Sequence, residues 1–404
     1  MLSQAKPSKE LRLAIIREKH NQLPSIMKEN RVASWLIFIR ETSANPDPIM
    51  DLVIGGDVVW ESAFIFNYNE TGFSKTAIVG NYDAPAERKK EIWDEVIPYK
   101  EGIADILREF IKTNNPQNIA LNYSEDDVVS DGLSHGMFLK ISKILADKSE
   151  RFISAAPIIR AVRGRKTKTE IKLVTESCKL TEEINRTITS KLKVGLSEPE
   201  IQKMYHDEMD NLEVIEAWQR VSCPAIDAGP DKEIGHVGPS PQYSTKQGHT
   251  LHNDFGIKLQ GYCSDLQRMW FFGMEPPTEL THAFETVRDA ILKAADFIKP
   301  GVTGYSVDKI ARDYVISRGY EEYAHALGHQ VGTEAHDGGV ILGPLWERYG
   351  DTPKGLVEES NIFTLELNVK TQNYGTVSLE ENIVVTKDGY EFLVPPQEKF
   401  ILIK

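Results

Sequence analysis

Cysteine is scarce in this 404-residue chain: Cys178, Cys223 and Cys263 are odd in number and fall in no zinc-type spacing. They exclude a disulfide framework and a cysteine-ligated zinc, and a reduced cytoplasmic setting is expected. Long apolar runs are missing too. No stretch approaches the roughly 18 consecutive apolar residues of a membrane-spanning helix. The opening MLSQAKPSKELRLAIIREKH scatters charges through its apolar positions, so no secretory signal is expected. Positive charge is in deficit as well. A formal net charge of −13 opposes nucleic-acid backbones and anionic membranes as partners. The main basic run, Arg160 to Lys172, reads as a solvated linker or helix start. There is no GxSxG, CxxC, HExxH or Walker loop, and the glycines form no dinucleotide fingerprint. What remains is 41% hydrophobic and 26% charged, the balance of a folded chain long enough for more than one domain.

Two patterns divide the chain. In the first, helical and strand-like segments alternate: a helix over Ser8 to Glu29, strands at WLIFI (35 to 39), ESAFIFN and KTAIVG, a loop into a helix over NYDAPAERKKEIWDEV, a helix at IADILREFIKT and a strand at NIALNYS. An α/β domain of about 150 residues follows, ending within APIIRAVRGRK, residues 156 to 166. Its segment FIRETSANPDPIMDLVIGGDVVW carries Arg40, Glu41 and Asp47 among apolar residues, which suits a gating loop or a plain surface salt bridge.

The second pattern is a faint repeat. Thr167 with Glu170, and Ser197 with Glu200, form capping boxes that open two helices, and a further helix runs over Glu279 to Ile298. Counted from Gly195 and from Gly301, a lysine stands at −2 and apolar residues at +6 and +9: Ile201 and Met204, then Val307 and Ile310. Each helix pair precedes a hairpin. HTLHNDFGIKLQGYCSDLQRMWFF turns near Gln260 and Gly261, and NIFTLELNVKTQNYGTVSLEENIVV turns near Asn373 to Gly375. Two copies of helix, helix, hairpin predict an approximate two-fold axis, with any site where the copies meet.

The hairpins carry acids. Alternation in TLELNVK puts Thr364, Glu366 and Asn368 on one strand face and Leu365, Leu367 and Val369 on the other. Asp254 shares a face with His252, Asp265 lies on the returning strand, and Glu380 and Glu381 lie in the return of the second hairpin. A single strand carboxylate is ordinarily solvated. Strands bearing MWFF, IFTL and IVVT are too apolar for that, and acids gathered there would repel one another and lose hydration at several kcal/mol per ion. Divalent cations are the simplest remedy. Four carboxylates and an imidazole suit Mn²⁺, Co²⁺ or Zn²⁺, with oxygens enough for two ions and a bridging hydroxide. Tyr323 to Gly339, YAHALGHQVGTEAHDGG, offers His325, His329 and His336, and Gly328 and Gly332 mark it as loop.

DFG at 254, Asp265 eleven residues later in GYCSDLQR, LGHQVG, FTLE and LEENIVVTKDG resemble the successive ligand motifs of the M24 metallopeptidases, the creatinase, Xaa-Pro aminopeptidase and prolidase family. The resemblance spans about 160 to 404 and, more loosely, the rest. It implies an α+β chain: a creatinase-like α/β domain over residues 1–159 and a catalytic pita-bread domain over 160–404 with an internal pseudo-two-fold repeat. It further implies that Asp254 chelates one metal, that Asp265 and Glu380 bridge two, and that His329 and Glu366 complete the second. His236 in IGHVGP, His325 and His336 would contact the substrate, and Glu366 would carry a proton from water to leaving amine.

The activity so implied is hydrolysis of Xaa-Pro bonds in peptides or dipeptides, with two divalent ions, Mn²⁺ first and Co²⁺ or Zn²⁺ as alternatives, in a homodimer without nucleic-acid or membrane partners. Three departures from the family pattern bear on specificity: Ser378 where an arginine is frequent, Leu367 and Asn368 where Pro-Gly is frequent, and His252 with Asn253 before the first ligand. They leave room for a hydrolase or lyase acting on a non-peptide small molecule. A non-catalytic binding module is disfavoured by the five intact ligand positions.

Overall fold

The computed structural model describes residues 4–70, 72–232 and 238–404. Contacts divide the chain into Ser8–Arg163 and Gly164–Lys404, residues 4–7 grouping with the latter.

In the first unit, the Ser8 hydroxyl accepts from Leu11 N–H and opens α1 (Lys9–Glu29). There follow β1 (Ser34–Ile39), α2 (Met50–Val53), β2 (Ser62–Asn69), β3 (Gly72–Gly80), α3 (Ala84–Lys90), β4 (Glu95–Tyr99), α4 (Ala104–Asn114), β5 (Ile119–Leu121), α5 (His135–Ile144), β6 (Phe152–Ser154) and α6 (Ala156–Gly164). Among the described residues they make one mixed sheet of order β4-β3-β2-β1-β5-β6. Ala63 and Ile65 of β2 pack with Leu107, Ile111 and Ile141 of α4 and α5. Phe66, on the opposite face, meets His20 of α1 edge to face. Both faces are covered, so β2 reads as an unbroken apolar run.

Two expectations fail here. The segment up to Val96 is not one helix: Glu91 takes a left-handed φ of 53° that ends α3, and Glu95–Tyr99 becomes an edge strand able to hold Pro98. Of the two readings of the basic run, the helix start holds, a helix opening at Lys168, and the solvated linker fails. Arg163 is buried and donates to the Pro48 carbonyl at 2.9 Å, and Lys166 is buried in an ion pair with Asp337 at 2.7 Å. In the gating candidate, Asp47 is buried and accepts from Asn122 Nδ2 at 2.8 Å and Ile49 N–H at 3.1 Å, a structural role.

His20 gives the first prediction. Its Nε2 donates to the Val53 carbonyl at 2.9 Å, and burial lowers its pKa to about 4. The unfolded chain takes up this proton near pH 6.5 and the folded chain does not, so the stability held by neutral His20 is complete above pH 6.5 and falls as pH drops towards 4. Asp47, raised to about 6 by burial, works oppositely and loses its share as pH rises through 6. His20→Gln, which keeps a donor for Val53, should cancel about 2 to 3 kcal/mol of wild-type destabilisation between pH 7 and pH 4.5. Denaturant unfolding followed by tryptophan fluorescence measures it, and parallel pH profiles would refute it.

The second unit repeats itself. Its elements are α7 (Lys168–Thr189), α8 (Glu198–Asn211), β7 (Ile215–Glu216), β8 (Ala225–Ala228), β9 (Thr250–Phe255), β10 (Ile257–Leu259), β11 (Tyr262–Cys263), β12 (Leu266–Phe272), α9 (Thr278–Phe297), α10 (Gly304–Ser317), β13 (Ile362–Lys370), β14 (Thr376–Val385), β15 (Tyr390–Phe392) and β16 (Ile401–Ile403). The capping box of Thr167 and Glu170 forms, and Glu200 accepts from Ser197 N–H at 2.8 Å. Gly195 and Gly301 adopt φ of 94° and 92°, and two residues on Ser197 and Thr303 each cap a helix and make an isolated bridge, to Ser244 and Leu356. Ile201 and Val307, at +6, are both fully buried. The repeat is therefore structural, although few identities mark it.

The sheet runs β13-β14-β12-β9-β8, with β15 on β14 and β16 on β12. Leu251 and Phe255 of β9 join the core of α7 and α8, whereas Leu365, Leu367 and Val369 of β13 join that of α9 and α10. Alternation then turns Asp254 and Glu366 to the faces away from these helices.

Candidate metal centre

Register assembles the acids. Gln267 of β12 pairs with Asp254 of β9 on one side and Glu380 of β14 on the other, and Glu380 pairs with Glu366 of β13. Directly paired residues project to the same face, so Asp254, Gln267, Glu380 and Glu366 form one row across four strands. Asp265, two residues before Gln267, projects to that face and is hydrogen-bonded to Asp254. Glu381 points the other way, into an ion pair with Arg268.

His329 reaches the row from a loop. Its carbonyl accepts from Thr364 N–H at 2.9 Å, its N–H donates to Thr364 Oγ1 at 3.1 Å, and Leu327 accepts from Glu366 N–H at 2.7 Å. Gly328 makes this approach possible, since a Cβ there would lie 2.0 Å from the Thr364 carbonyl oxygen. The loop stays non-helical, as its glycines predict. His329 Nε2 lies 3.5 Å from Glu366, 3.7 Å from Asp265 and 4.0 Å from Glu380. His336 is exposed, its ring 4.2 Å from that of His329. His325 is half-buried, with Nδ1 on the Ala326 carbonyl at 2.8 Å and Nε2 on Asn368 Nδ2 at 2.9 Å. His236 falls outside the described residues.

Electrostatics disfavour the ionised cluster unless a cation joins it. Burial, then the charge of Asp254, lifts Glu366 to about 8. Burial and the neighbouring carboxylates push Asp265 and Glu380 well above the usual range. Burial, then His336, drives His329 down to about 3, so the imidazole is neutral. Its Nδ1 lies 3.3 Å from the Gln330 carbonyl, which accepts only, so Nε2 turns a lone pair towards three carboxylates. A lone pair set among acids is met by their protons or by a shared cation. Two donors each about 2.1 Å from one ion stand about 3.0 Å apart at right angles and about 4.2 Å apart across it, which brackets the distances from Nε2. Asp265, His329 and Glu380 offer ligand atoms all within 4.8 Å of one another. The residues fit a divalent metal.

The model of metallopeptidase family M24 matches residues 172–387. The chain belongs to metallopeptidase family M24. This M24 chain is 25% identical over 279 residues to the uncharacterized peptidase YqhT of Bacillus subtilis, covering 68% of this chain and 73% of that one. It is 26% identical over 278 residues to an Xaa-Pro dipeptidase of Pyrococcus horikoshii, covering 68% and 74%. Among solved structures, an Xaa-Pro dipeptidase from Bacillus anthracis superposes with a TM-score of 0.73 at 21% identity, covering 96% and 99% of the two chains. An X-Pro aminopeptidase from Thermotoga maritima gives 0.70 at 22%, covering 94% and 100%. The expected pita-bread α+β fold with an N-terminal domain holds, and the M24 enzyme is a metallopeptidase-type hydrolase that uses divalent metal.

One member of the acid row, Gln267, escaped the sequence reading, although i+2 alternation from Asp265 would have found it. Its Oε1 accepts from Ser378 Oγ at 2.5 Å and lies 3.0 Å from His252 Nε2, so its Nε2 faces Glu366 at 3.4 Å. His252 is held in turn by Asp227 at 2.8 Å; burial lowers its pKa, but Asp227 outweighs that and the net direction is up. The departures at Ser378 and His252 are thus one chain of bonds orienting an amide against the acids. Gln267→Leu should weaken metal binding about 10- to 100-fold with the fold retained, measured by chelator competition, and unchanged affinity would refute this role.

Proposed function

We propose that this M24 chain is a dinuclear metal-dependent exopeptidase that hydrolyses Xaa-Pro bonds, at the N-terminus of peptides or in dipeptides. The observation that carries the reading is the four-strand acid row with a neutral imidazole aimed into it. In this reading Asp254 holds one ion, Asp265 and Glu380 hold both, and His329 and Glu366 complete the second, with Mn²⁺ first and Co²⁺ or Zn²⁺ as alternatives. Such ions supply Lewis acidity and bring a bound water's pKa from about 15.7 to about 7. In this reading Glu366 also carries a proton from water to the leaving amine. His325 and His336 would contact the peptide carbonyl or carboxylate, and His236, which lies outside the described residues, would contact the substrate as the family resemblance implies. Residues 160–404 carry the chemistry, residues 1–159 form a separate domain, and the chain acts as a cytoplasmic homodimer on peptides.

The names of the Pyrococcus horikoshii and Thermotoga maritima proteins support the substrate class. Assay of the Mn²⁺-loaded protein on Xaa-Pro dipeptides and Xaa-Pro-Xaa peptides tests it: cleavage of either is expected, and neither being cut with metal bound would refute it. Ser378 and His252, both bonded to Gln267 beside the acids, favour, as a second reading, a non-peptide substrate. Turnover in a metabolite screen far above any peptide cleavage would select it.

A further inference from the structure

His329 and His336 share one loop whose ends are closed: Asp337 N–H donates to the Gln330 carbonyl at 2.8 Å, and that carbonyl lies 3.3 Å from His329 Nδ1. Their rings stand 4.2 Å apart. The backbone alone does not hold them there, since Gly332 lies inside the loop and Gly338 and Gly339 follow it at φ of 71° and 76°. A side chain has to fix it.

That side chain is Lys166. Its ammonium group meets Asp337 Oδ2 at 2.7 Å, with each side chain 1% exposed. Asp337 Oδ1 accepts from Thr333 Oγ1 at 3.2 Å and from Glu334 N–H at 3.3 Å, so one carboxylate ties three loop residues to the lysine. Lys166 is itself anchored. Its N–H donates to the Ser360 carbonyl at 3.2 Å, Arg165 before it forks onto Glu358 at 2.8 and 2.9 Å, and Thr167 after it caps α7. Gly332 lets the backbone lie against the pair, because a Cβ there would stand 2.2 Å from Asp337 Oδ2 and 2.8 Å from Lys166 Cε. Burying Asp337 also orients its neighbour: the carboxylate is inside and His336 is exposed.

A buried ion pair adds little to stability, since apolar residues of similar volume often serve a fold as well or better. We infer that Lys166 is a positioning residue of the metal centre, its bond to Asp337 holding the loop so that His329 meets the acid row and His336 stays beside it. The inference rests on the reading of His329 as a metal ligand and gives the buried cation a role beyond the fold.

The test compares the full-length wild type, Lys166→Met, the double variant Lys166→Met with Asp337→Asn, and His329→Ala. Lys166→Met strands a buried carboxylate and should lower Tm by about 10 °C. Adding Asp337→Asn removes that charge, keeps Oδ1 for Glu334 N–H and should restore most of the Tm. Mn²⁺ affinity of the double variant, read by chelator competition, should nevertheless stay about 10-fold or more below wild type. In the metal-free proteins, a nuclear Overhauser contact between the His329 and His336 rings should be present in wild type and lost in the double variant. Wild-type affinity, a retained ring contact, or a Tm that does not recover would overturn the inference, the last by showing that the pair serves the fold. His329→Ala should lose Mn²⁺. If it binds like wild type, the ligand reading falls, and the ring contact then decides the role of Lys166: its loss in a double variant of recovered Tm supports the inference, and its retention overturns it.

Discussion

Asp265→Asn should slow turnover about 10³-fold and stabilise the metal-free protein. Asp265 is 5% exposed, hydrogen-bonded to Asp254 and within 3.7 Å of His329, and its carboxylate is disfavoured first by burial and then by Asp254 and Glu366. Ionised at neutral pH in the unfolded chain, it opposes folding unless a cation joins it. The amide removes that charge, so metal-free Asp265→Asn should melt above metal-free wild type. It also removes a proposed bridging ligand. Bringing a water's pKa down to about 7 corresponds to about 12 kcal/mol, and losing a third of that slows turnover about 10³-fold. Added Mn²⁺ should raise the Tm of wild type and barely move the variant. His336→Ala provides the contrast, keeping metal while losing about 10²- to 10⁴-fold in turnover. Differential scanning calorimetry with metal analysis reads both, and a metal-free Asp265→Asn less stable than wild type would show that the carboxylate serves the fold.

This opposition between site and stability explains which parts were legible in the sequence. Strand alternation is local, so TLELNVK alone placed Glu366 and Asn368 opposite Leu365, Leu367 and Val369, as observed. Capping and positive-φ turns are local too. Thr167 caps α7, and Gln260 and Gly261 turn the first hairpin with φ of 49° and 86°. Chemistry spread over several strands leaves no such trace. The chain from Asp227 through His252 and Gln267 to Ser378 joins four strands, so single-strand periodicity showed its members without showing their bonds. Burial of charge was equally hidden, because Lys166 and Asp337 lie 171 residues apart and a basic run looks the same in solvent as in an ion pair. The β4 edge strand was lost because a strand containing Pro98 carries a weak β signal, and a helical reading of the preceding charged residues overran it.

The same face logic supports a stability prediction on the far side of the acid row. Arg268 follows Gln267 and so points away from the metal centre, where it is 2% exposed. It pairs with Glu381 at 2.9 Å and with Glu182 at 2.6 Å, and donates to the carbonyls of Gln267 at 2.7 Å and Glu380 at 3.0 Å. Burial raises Glu381 to about 7 even though Arg268 opposes it. Arg268→Met therefore leaves a buried acid without its cation and two carbonyls without their donor, at an expected 3 to 5 kcal/mol. Glu381→Gln in that background removes the stranded charge and still accepts from Gln397 N–H, a bond of 2.8 Å in the native chain, so the double variant should recover about half the loss. Because Arg268 clamps the backbone beneath Gln267 and Glu380, the single variant should also loosen metal binding under conditions where it remains folded. Denaturant unfolding of the four proteins in a double-mutant cycle measures the coupling. Additive losses would mean that Arg268 acts through packing and its carbonyl contacts alone, and the pairing argument would fail.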